Sequence, residues 1–316
     1  MIVTLTANPS LDRTITLGAA LRPGHVQAAV SAREDAGGKG INVARVVAAA
    51  GVDTLAVLPL SADDPFGAAL GASGVPARPV AICGRARANV TITDPDGTTT
   101  KLNLPGAALE GAERDAVVDA VVEACAGARW LALAGSLPPG AGDDFYVDVI
   151  AAVRSRWGED APLIAVDTSG AALRAVVERG APDLIKPNDE ELAELVGTAP
   201  LTGDDLAASV LAVARALVPG RVASALVTLG ADGAVLVTAD GAWAAGPPGI
   251  QVVSTVGAGD SSLAGYLLAD HAGASPEDRL RSAIRYGAAA ASLPGTQPPT
   301  PADLPPGDIA VRPLHS

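Results

Sequence analysis

The sequence predicts an α/β protein: a central, mostly parallel sheet flanked by helices in three layers, with a small β appendage contributed by the early part of the chain. Three observations predict it. From residue 129 to residue 230, apolar runs alternate with helical stretches in the rhythm of βαβ units. Hydrophobic residues make up 49% of the chain but aromatic ones only 3%, so the core must be built from Ala, Val and Leu, which suits helices packed on a parallel sheet. Between Arg87 and Leu104 the pattern changes to ANVTIT, the turn DPDG and then TTTKLNL, which marks an antiparallel hairpin.

The elements follow in order. Residues 2–6 form an apolar strand, and residues 38–50 form a helix entered through glycines and ended at Gly51. A second strand is expected at 54–59. The hairpin and residues 14–32 supply the appendage. The main sheet then takes WLALAG, LIAVD, DLIKPN and ALVTLG, separated by helices at 143–157, 171–179 and 190–196. Short β runs at 234–238 and 251–254 precede TVGAGD, which opens a long apolar helix, and the tail after Leu293 is rich in proline. No repeat or linker divides the 316 residues, so we expect one domain over 1–316, with the β appendage drawn from about 12–34 and 84–105.

A formal charge of -13 argues against nucleic-acid binding, which requires a basic surface. An anionic ligand would instead need its few cations concentrated at one site. Lysine usage points to such a site. Only three of the 22 basic residues are lysines, and all three occupy motif-like contexts: Lys39 in AGGKGIN, Lys101 in TTTKLNLPG and Lys186 in LIKPND. A compact ammonium suits a phosphate contact where the planar fork of arginine does not fit, although a lone lysine is equally well a solvated surface residue. Cys83 and Cys125 lack zinc or disulfide spacing and are expected to be buried free thiols. The first residues carry no basic segment followed by a long apolar run, and no uncharged stretch reaches membrane-spanning length. A soluble, cytoplasmic protein is expected.

TVGAGDSS is the sharpest motif. Gly257 and Gly259 allow close backbone approach, and the N–H groups of Gly257, Ala258, Gly259 and Asp260 at a helix start form a candidate anion hole. Asp260 in that first turn could merely complement the helix dipole, but two adjacent glycines favour a catalytic base. AGGKGIN is not a Walker P-loop, because Gly40 follows Lys39 where Ser or Thr is required. It remains a glycine turn, through Gly38, into a helix that carries Asn42 in its first turn. In KPNDEE, Asn188 and Glu191 are spaced either for a capping box or for an oxygen-rich site for Mg²⁺ held through water. Thr228, Gly230 and Gly233 of VTLGADGA form a glycine turn that could admit a nucleotide or simply join two strands. Asp12, Arg87, Asn89, Lys101 and Asn103 are solvated appendage residues unless the hairpin covers the crevice, where they would meet a sugar hydroxyl and a phosphate. The three histidines occur in no metal or triad spacing.

GGKGINVA, AGSLPPG, KPNDEE, VTLGADGA and VSTVGAGDS, in this order over residues 2–295, closely resemble the ribokinase-like carbohydrate kinases of the phosphofructokinase B (PfkB) family. The resemblance implies a ribokinase-like fold with a small β-sheet lid, a homodimer through the lid, and ATP with Mg²⁺ as cofactors. It implies Asp260 as the catalytic base and Gly257, Ala258 and Gly259 as the anion hole. Asp12, Gly38, Lys39, Asn42, Arg87 and Lys101 would bind the sugar phosphate. Lys186, Asn188, Thr228, Gly230 and Gly233 would bind the nucleotide, with Glu191 near Mg²⁺. Within the family, NPSLD, GGKGIN and the hairpin look most like members that convert fructose 1-phosphate to fructose 1,6-bisphosphate. Tagatose-6-phosphate or fructose-6-phosphate kinases are the alternatives, and a non-catalytic sugar-phosphate sensor is the alternative of another class. Ser262 stands where relatives commonly carry a bulkier apolar residue, a change expected to affect packing more than chemistry.

Overall fold

The computed structural model describes residues 1–201 and 205–315. β1 (Ile2–Leu5), β2 (Ser10–Leu17) and β3 (Ala29–Gly37) precede α1 (Lys39–Ala49). β4 (Thr54–Leu60), α2 (Phe66–Ser73) and β5 (Ala77–Ala81) follow, and then the hairpin of β6 (Arg87–Thr93) and β7 (Thr99–Asn103). Next come α3 (Gly111–Ala124), β8 (Trp130–Ala134), α4 (Phe145–Trp157), β9 (Leu163–Asp167), α5 (Gly170–Ala175) and β10 (Leu184–Ile185). The chain closes with α6 (Asp189–Val196), α7 (Leu206–Ala214), β11 (Ser224–Thr228), β12 (Ala234–Thr238), β13 (Ala242–Ala245), α8 (Ala258–His271), α9 (Pro276–Ala291) and β14 (Val311–Pro313).

The large sheet has the order β14-β13-β12-β11-β10-β9-β8-β1-β4-β5. It is parallel from β5 through β11 and antiparallel from β11 to β14. Alternation along its strands assigns each residue to one of two cores. Leu131, Leu133, Ile164 and Val166 pack against α3 and α4 through Val117, Val121, Phe145 and Val149. Trp130, Ala132 and Ala165 face α1, α8 and α9 through Val43, Val47, Leu263, Leu267 and Ile284. That is the three-layer arrangement expected. α8 is buried nearly all round because it crosses α9 closely: a Cβ on Gly265 would lie 2.6 Å from the Ser282 carbonyl oxygen, and one on Gly287 would lie 2.2 Å from Ser262 Oγ.

A second sheet of four strands, β3-β2-β6-β7, corresponds to the expected appendage. Its centre is a parallel pairing of β2 with β6, in register Asp12 to Asn89, which joins the hairpin to the segment after β1. Residues 251–254 are not a strand as expected: Val253 and Ser254 donate their N–H groups to the Ala291 carbonyl at the end of α9, and the third antiparallel strand is β13 instead. The proline-rich tail supplies β14 at the sheet edge, where proline is tolerated. The expected helix at 171–179 divides into α5 and a wider π turn over Val176–Gly180. Cys83 is exposed rather than buried, and only Cys125 lies in the core. Among the described residues, no helix is long and apolar enough to cross a membrane.

Away from the crevice, the α8 carboxylate Asp270, 2% exposed, gathers Arg129, the Trp130 indole N–H at 2.7 Å and Arg279 at 2.9 Å. Asp270→Ala leaves these donors without their shared acceptor. The two arginines retain partial access to water, so the expected loss is about 2–3 kcal/mol, read as a fall in the urea midpoint without a change in its slope.

Candidate active site

The crevice beyond the carboxyl ends of the parallel strands carries the charged groups, as open α/β sheets require. Asp167 is the last residue of β9 and has no exposed surface. It receives Lys39 Nζ on Oδ1 at 2.8 Å and Lys186 Nζ beside Oδ2 at 3.0 Å. Lys39 opens α1, and Lys186 follows β10, where its N–H donates to the Val166 carbonyl. Two of the three lysines thus meet on one buried carboxylate, the concentration of positive charge that a chain of net charge -13 needs for an anionic ligand.

Asp260 lies in the first turn of α8 and is 7% exposed, and its Oδ2 accepts a 2.8 Å hydrogen bond from Asn42 Nδ2 of α1. Burial, and then the nearby negative charge of Asp167, push its pKa up to about 6, while Asn42, Lys39 and Lys186 pull it the other way. For Lys39, burial favours the neutral amine, but the charge and hydrogen bond of Asp167 outweigh it and hold the group above the ordinary lysine range. Burial also opposes ionisation of Asp167, and the two lysines overcome it, so its pKa lies below the usual carboxylate value.

Gly257 caps α8 at φ +78°, a left-handed conformation that glycine adopts without strain. The next residues begin the helix, so its positive end faces the crevice. Ala258 N–H donates weakly, at 3.3 Å, to the Thr255 carbonyl and shares its anion-binding capacity with that turn. A Cβ on Gly259 would lie 3.3 Å from Lys186 Nζ, so the glycine lets the ammonium sit against the helix start.

Beside this lies a cleft of about 780 Å³. Asn188, Thr228, Gly230 and Gly233 line it together with Ala258 and Gly259, which joins the expected nucleotide residues to the helix start. Gly233, at φ +95°, is required by the sheet: a Cβ there would stand 2.0 Å from the Ala245 carbonyl oxygen. Of the two readings of KPNDEE, the capping box is the one the structure shows: Asn188 and Glu191 form it in full, and Asn188 also bridges to Thr228 through the backbone. Glu191 Oε2 accepts from Asn188 N–H at 2.9 Å.

The opposite side is bordered by the small sheet. Asp12 Oδ1 accepts from Ser10 Oγ at 2.8 Å and from Asn89 Nδ2 at 3.0 Å. Gly37 packs so closely on this carboxylate that a Cβ would lie 2.1 Å from Oδ2. Burial raises the Asp12 pKa despite these hydrogen bonds and the charge of Arg87. The Arg87 Nε is buried and has no hydrogen-bond partner among the described residues. Gly38 turns into α1 at φ +124°. Lys101 is exposed on β7 opposite Thr91 and joins none of the ion pairs among the described residues.

Sequence reading puts Asp167-Thr168-Ser169 among the polar motifs at the carboxyl ends of the strands but gives Asp167 no role, because a strand-ending Asp resembles any turn residue and its partners come from two other elements. It also missed the cleft wall of Ala283, Gly287, Ala288 and Ala291 on α9. The run of small residues at 287–291 was the available signal, since such a face admits a flat ligand. Ser262 packs on Gly287, as expected of a packing residue, and also lines the cleft.

Comparison with known proteins places the chain in a family. Residues 6–303 match the family model described as pfkB family carbohydrate kinase. The chain is 37% identical over 308 residues to the 1-phosphofructokinase of Rhodobacter capsulatus, covering 94% of this chain and 93% of the relative. It is 34% identical to the ATP-dependent 6-phosphofructokinase isozyme 2 of Mycobacterium tuberculosis, covering 93% and 85%. The crystal structure of phosphofructokinase-2 from Escherichia coli in complex with substrates and products superposes with a TM-score of 0.86 at 32% identity, covering 96% of each chain. On the combined evidence of its fold, its charged crevice and these relatives, the chain belongs to the pfkB family of carbohydrate kinases.

Proposed function

We propose that this kinase transfers the γ-phosphoryl group of ATP to the free primary hydroxyl of fructose 1-phosphate, giving fructose 1,6-bisphosphate. The observation that carries this reading is the position of Asp260. It is a buried carboxylate with a pKa of about 6 at a helix start, between the 780 Å³ cleft and the Lys39 and Asn42 end of α1. A base of that pKa is ionised at neutral pH yet basic enough to take a hydroxyl proton as the O–P bond forms. Asn42 holds Oδ2 and leaves Oδ1 for the acceptor hydroxyl.

The cleft would take ATP, with Thr228, Gly230 and Gly233 against the nucleotide and Asn188 and Lys186 toward its phosphates. Charge gathering on the transferred group would meet Lys186 and the Gly257–Ala258–Gly259 helix start, donors that are already oriented before reaction. Gly38, Lys39, Arg87 and Lys101 would hold the sugar's own phosphate, and Asp12 would accept from a ring hydroxyl. Among the described residues, no group of three or more His, Cys, Asp or Glu could hold a metal ion. A lone carboxylate such as Glu191 would suit Mg²⁺, which keeps several waters and takes phosphate oxygens as ligands. Bound Mg²⁺ would neutralise charge shared between the β- and γ-phosphates.

The small sheet would close over the sugar as a lid. Val26, Val30 and Leu102, exposed on or beside it, fit a homodimer in which the lids of two copies cover one another. We place the enzyme in the cytoplasm.

The test is ADP release with Mg-ATP, comparing fructose 1-phosphate, fructose 6-phosphate, tagatose 6-phosphate and fructose. The proposal expects fructose 1-phosphate to have the highest kcat/KM. A 6-phosphate in first place changes the substrate and leaves the mechanism standing. With the preferred sugar phosphate, Lys39→Ala is expected to raise KM at least about tenfold, the value of one charged hydrogen bond. An unchanged KM in both Lys39→Ala and Lys101→Ala removes the lysines from sugar-phosphate binding.

A further inference from the structure

We propose that Asp167 is a positioning residue for phosphoryl transfer: one wholly buried carboxylate that clamps the lysine of the sugar-phosphate side and the lysine of the nucleotide side, and places a negative charge behind the base. The inference rests on the reading of Asp260 as that base.

The geometry carries it. Asp167 has no exposed surface, so it reaches a substrate only through Lys39, at 2.8 Å, and Lys186, at 3.0 Å. The strand end that bears it is fixed on both sides: Gly135 N–H donates to the Asp167 carbonyl, and Lys186 N–H donates to the Val166 carbonyl. Lys186 is itself only 5% exposed, whereas Lys39 keeps 37% of its side chain open. A buried carboxylate is costly unless paired, and two ammonium groups this close repel unless an anion lies between them. One negative charge thus lets two cations stand where two phosphorylated substrates converge.

The same charge acts on the base. Asp260 is faced by Asn42 and Lys39 from α1, by Asp167 at the end of β9 and by Lys186 after β10. Asp167 disfavours its ionised form and the lysines favour it. Removing the Asp167 charge must therefore make Asp260 easier to ionise, and removing a lysine must make it harder.

The experiment measures kcat/KM against pH for the wild type, Asp167→Asn, Asp167→Glu, Lys39→Met and Asp260→Asn in the full chain. Substrate ionisation is common to all and is divided out of each profile, as the fraction of the reactive substrate species at each pH, before the limbs are compared. For Asp167→Asn we expect KM for ATP and for the sugar phosphate to rise together, each by about tenfold or more, and the acidic limb to move down by about one pH unit. Asp167→Glu keeps the charge and is expected to return the limb toward its wild-type position. A purely structural role would lower activity without moving the limb. Where Asp167→Asn does not fold, Lys39→Met, at a half-open position, still decides the matter: its limb must move up. A folded Asp167→Asn with an unmoved limb or only one KM affected overturns the inference, and so does a Lys39→Met limb that stays or falls. If Asp260→Asn retains turnover, the assignment of the base has failed instead.

Discussion

Asp260→Asn loses turnover by about 10²-fold or more, while KM for both substrates changes little, the pattern of a group that acts only as the hydroxyl proton leaves. The amide can still accept from Asn42, so the pocket keeps its shape. In the wild type, kcat/KM falls as pH drops through about 6, because the base must be ionised and its pKa lies there. A second consequence follows from the same shift. The Asp260 pKa is raised on folding from an ordinary 3.8 to about 6, so the folded state binds a proton more tightly than the unfolded chain. Its contribution to stability is full below pH 3.8 and is lost as pH rises through 6. At pH 7 the ionised, buried carboxylate is a net cost, and Asp260→Asn should gain up to about 3 kcal/mol in stability while losing activity. Urea titrations of both proteins at pH 7 measure the difference; a less stable variant contradicts the electrostatic account of the site.

Lys186→Met is expected to lower kcat by about 10²-fold with a smaller effect on KM for the sugar phosphate. The ammonium stands against Gly259 at the start of α8, where charge on the transferred group would gather, and arginine's larger fork does not fit a space in which even a Cβ on Gly259 comes within 3.3 Å of it. Lys186→Arg should therefore fail to rescue turnover. Near-normal kcat in Lys186→Met, measured at saturating Mg-ATP, would remove Lys186 from the transition state, and near-normal kcat in Lys186→Arg would contradict the argument that the space excludes a guanidinium.

The layered sheet, α1, the β6–β7 hairpin and α8 were legible because hydrophobic periodicity and turn residues are local signals. β13 and β14 were not. Their short stretches AWAA and VRP acquire strand character only from the β12 edge that they extend. The parallel pairing of β2 with β6 joins segments about 77 residues apart, as Asp12 and Asn89 illustrate, and no local pattern announces it. Residues 251–254 look like a strand, being Gln-Val-Val-Ser, yet Val253 and Ser254 bond to the Ala291 carbonyl at the end of α9 instead. At the site, Asp260 stands out in the sequence by its two glycines, and scarcity marks Lys39 and Lys186, which the fold brings together on Asp167, whereas Lys101, marked by the same scarcity, lies exposed on β7. Asp167 does not stand out, since its significance lies in two ion pairs that only the fold assembles. Asn188 and Glu191 illustrate the remaining ambiguity: the same spacing is a capping box in the structure and a phosphate and metal contact in the proposed mechanism.

The central claim is that this chain is a sugar-phosphate kinase whose base is Asp260. It is tested most directly by following ADP and fructose 1,6-bisphosphate together, with Mg-ATP and fructose 1-phosphate, for the wild type and for Asp260→Asn. The account predicts one bisphosphate per ADP from the wild type, and a rate lower by about 10²-fold or more from the variant. Equal rates from the two proteins, or ADP without bisphosphate, would contradict it.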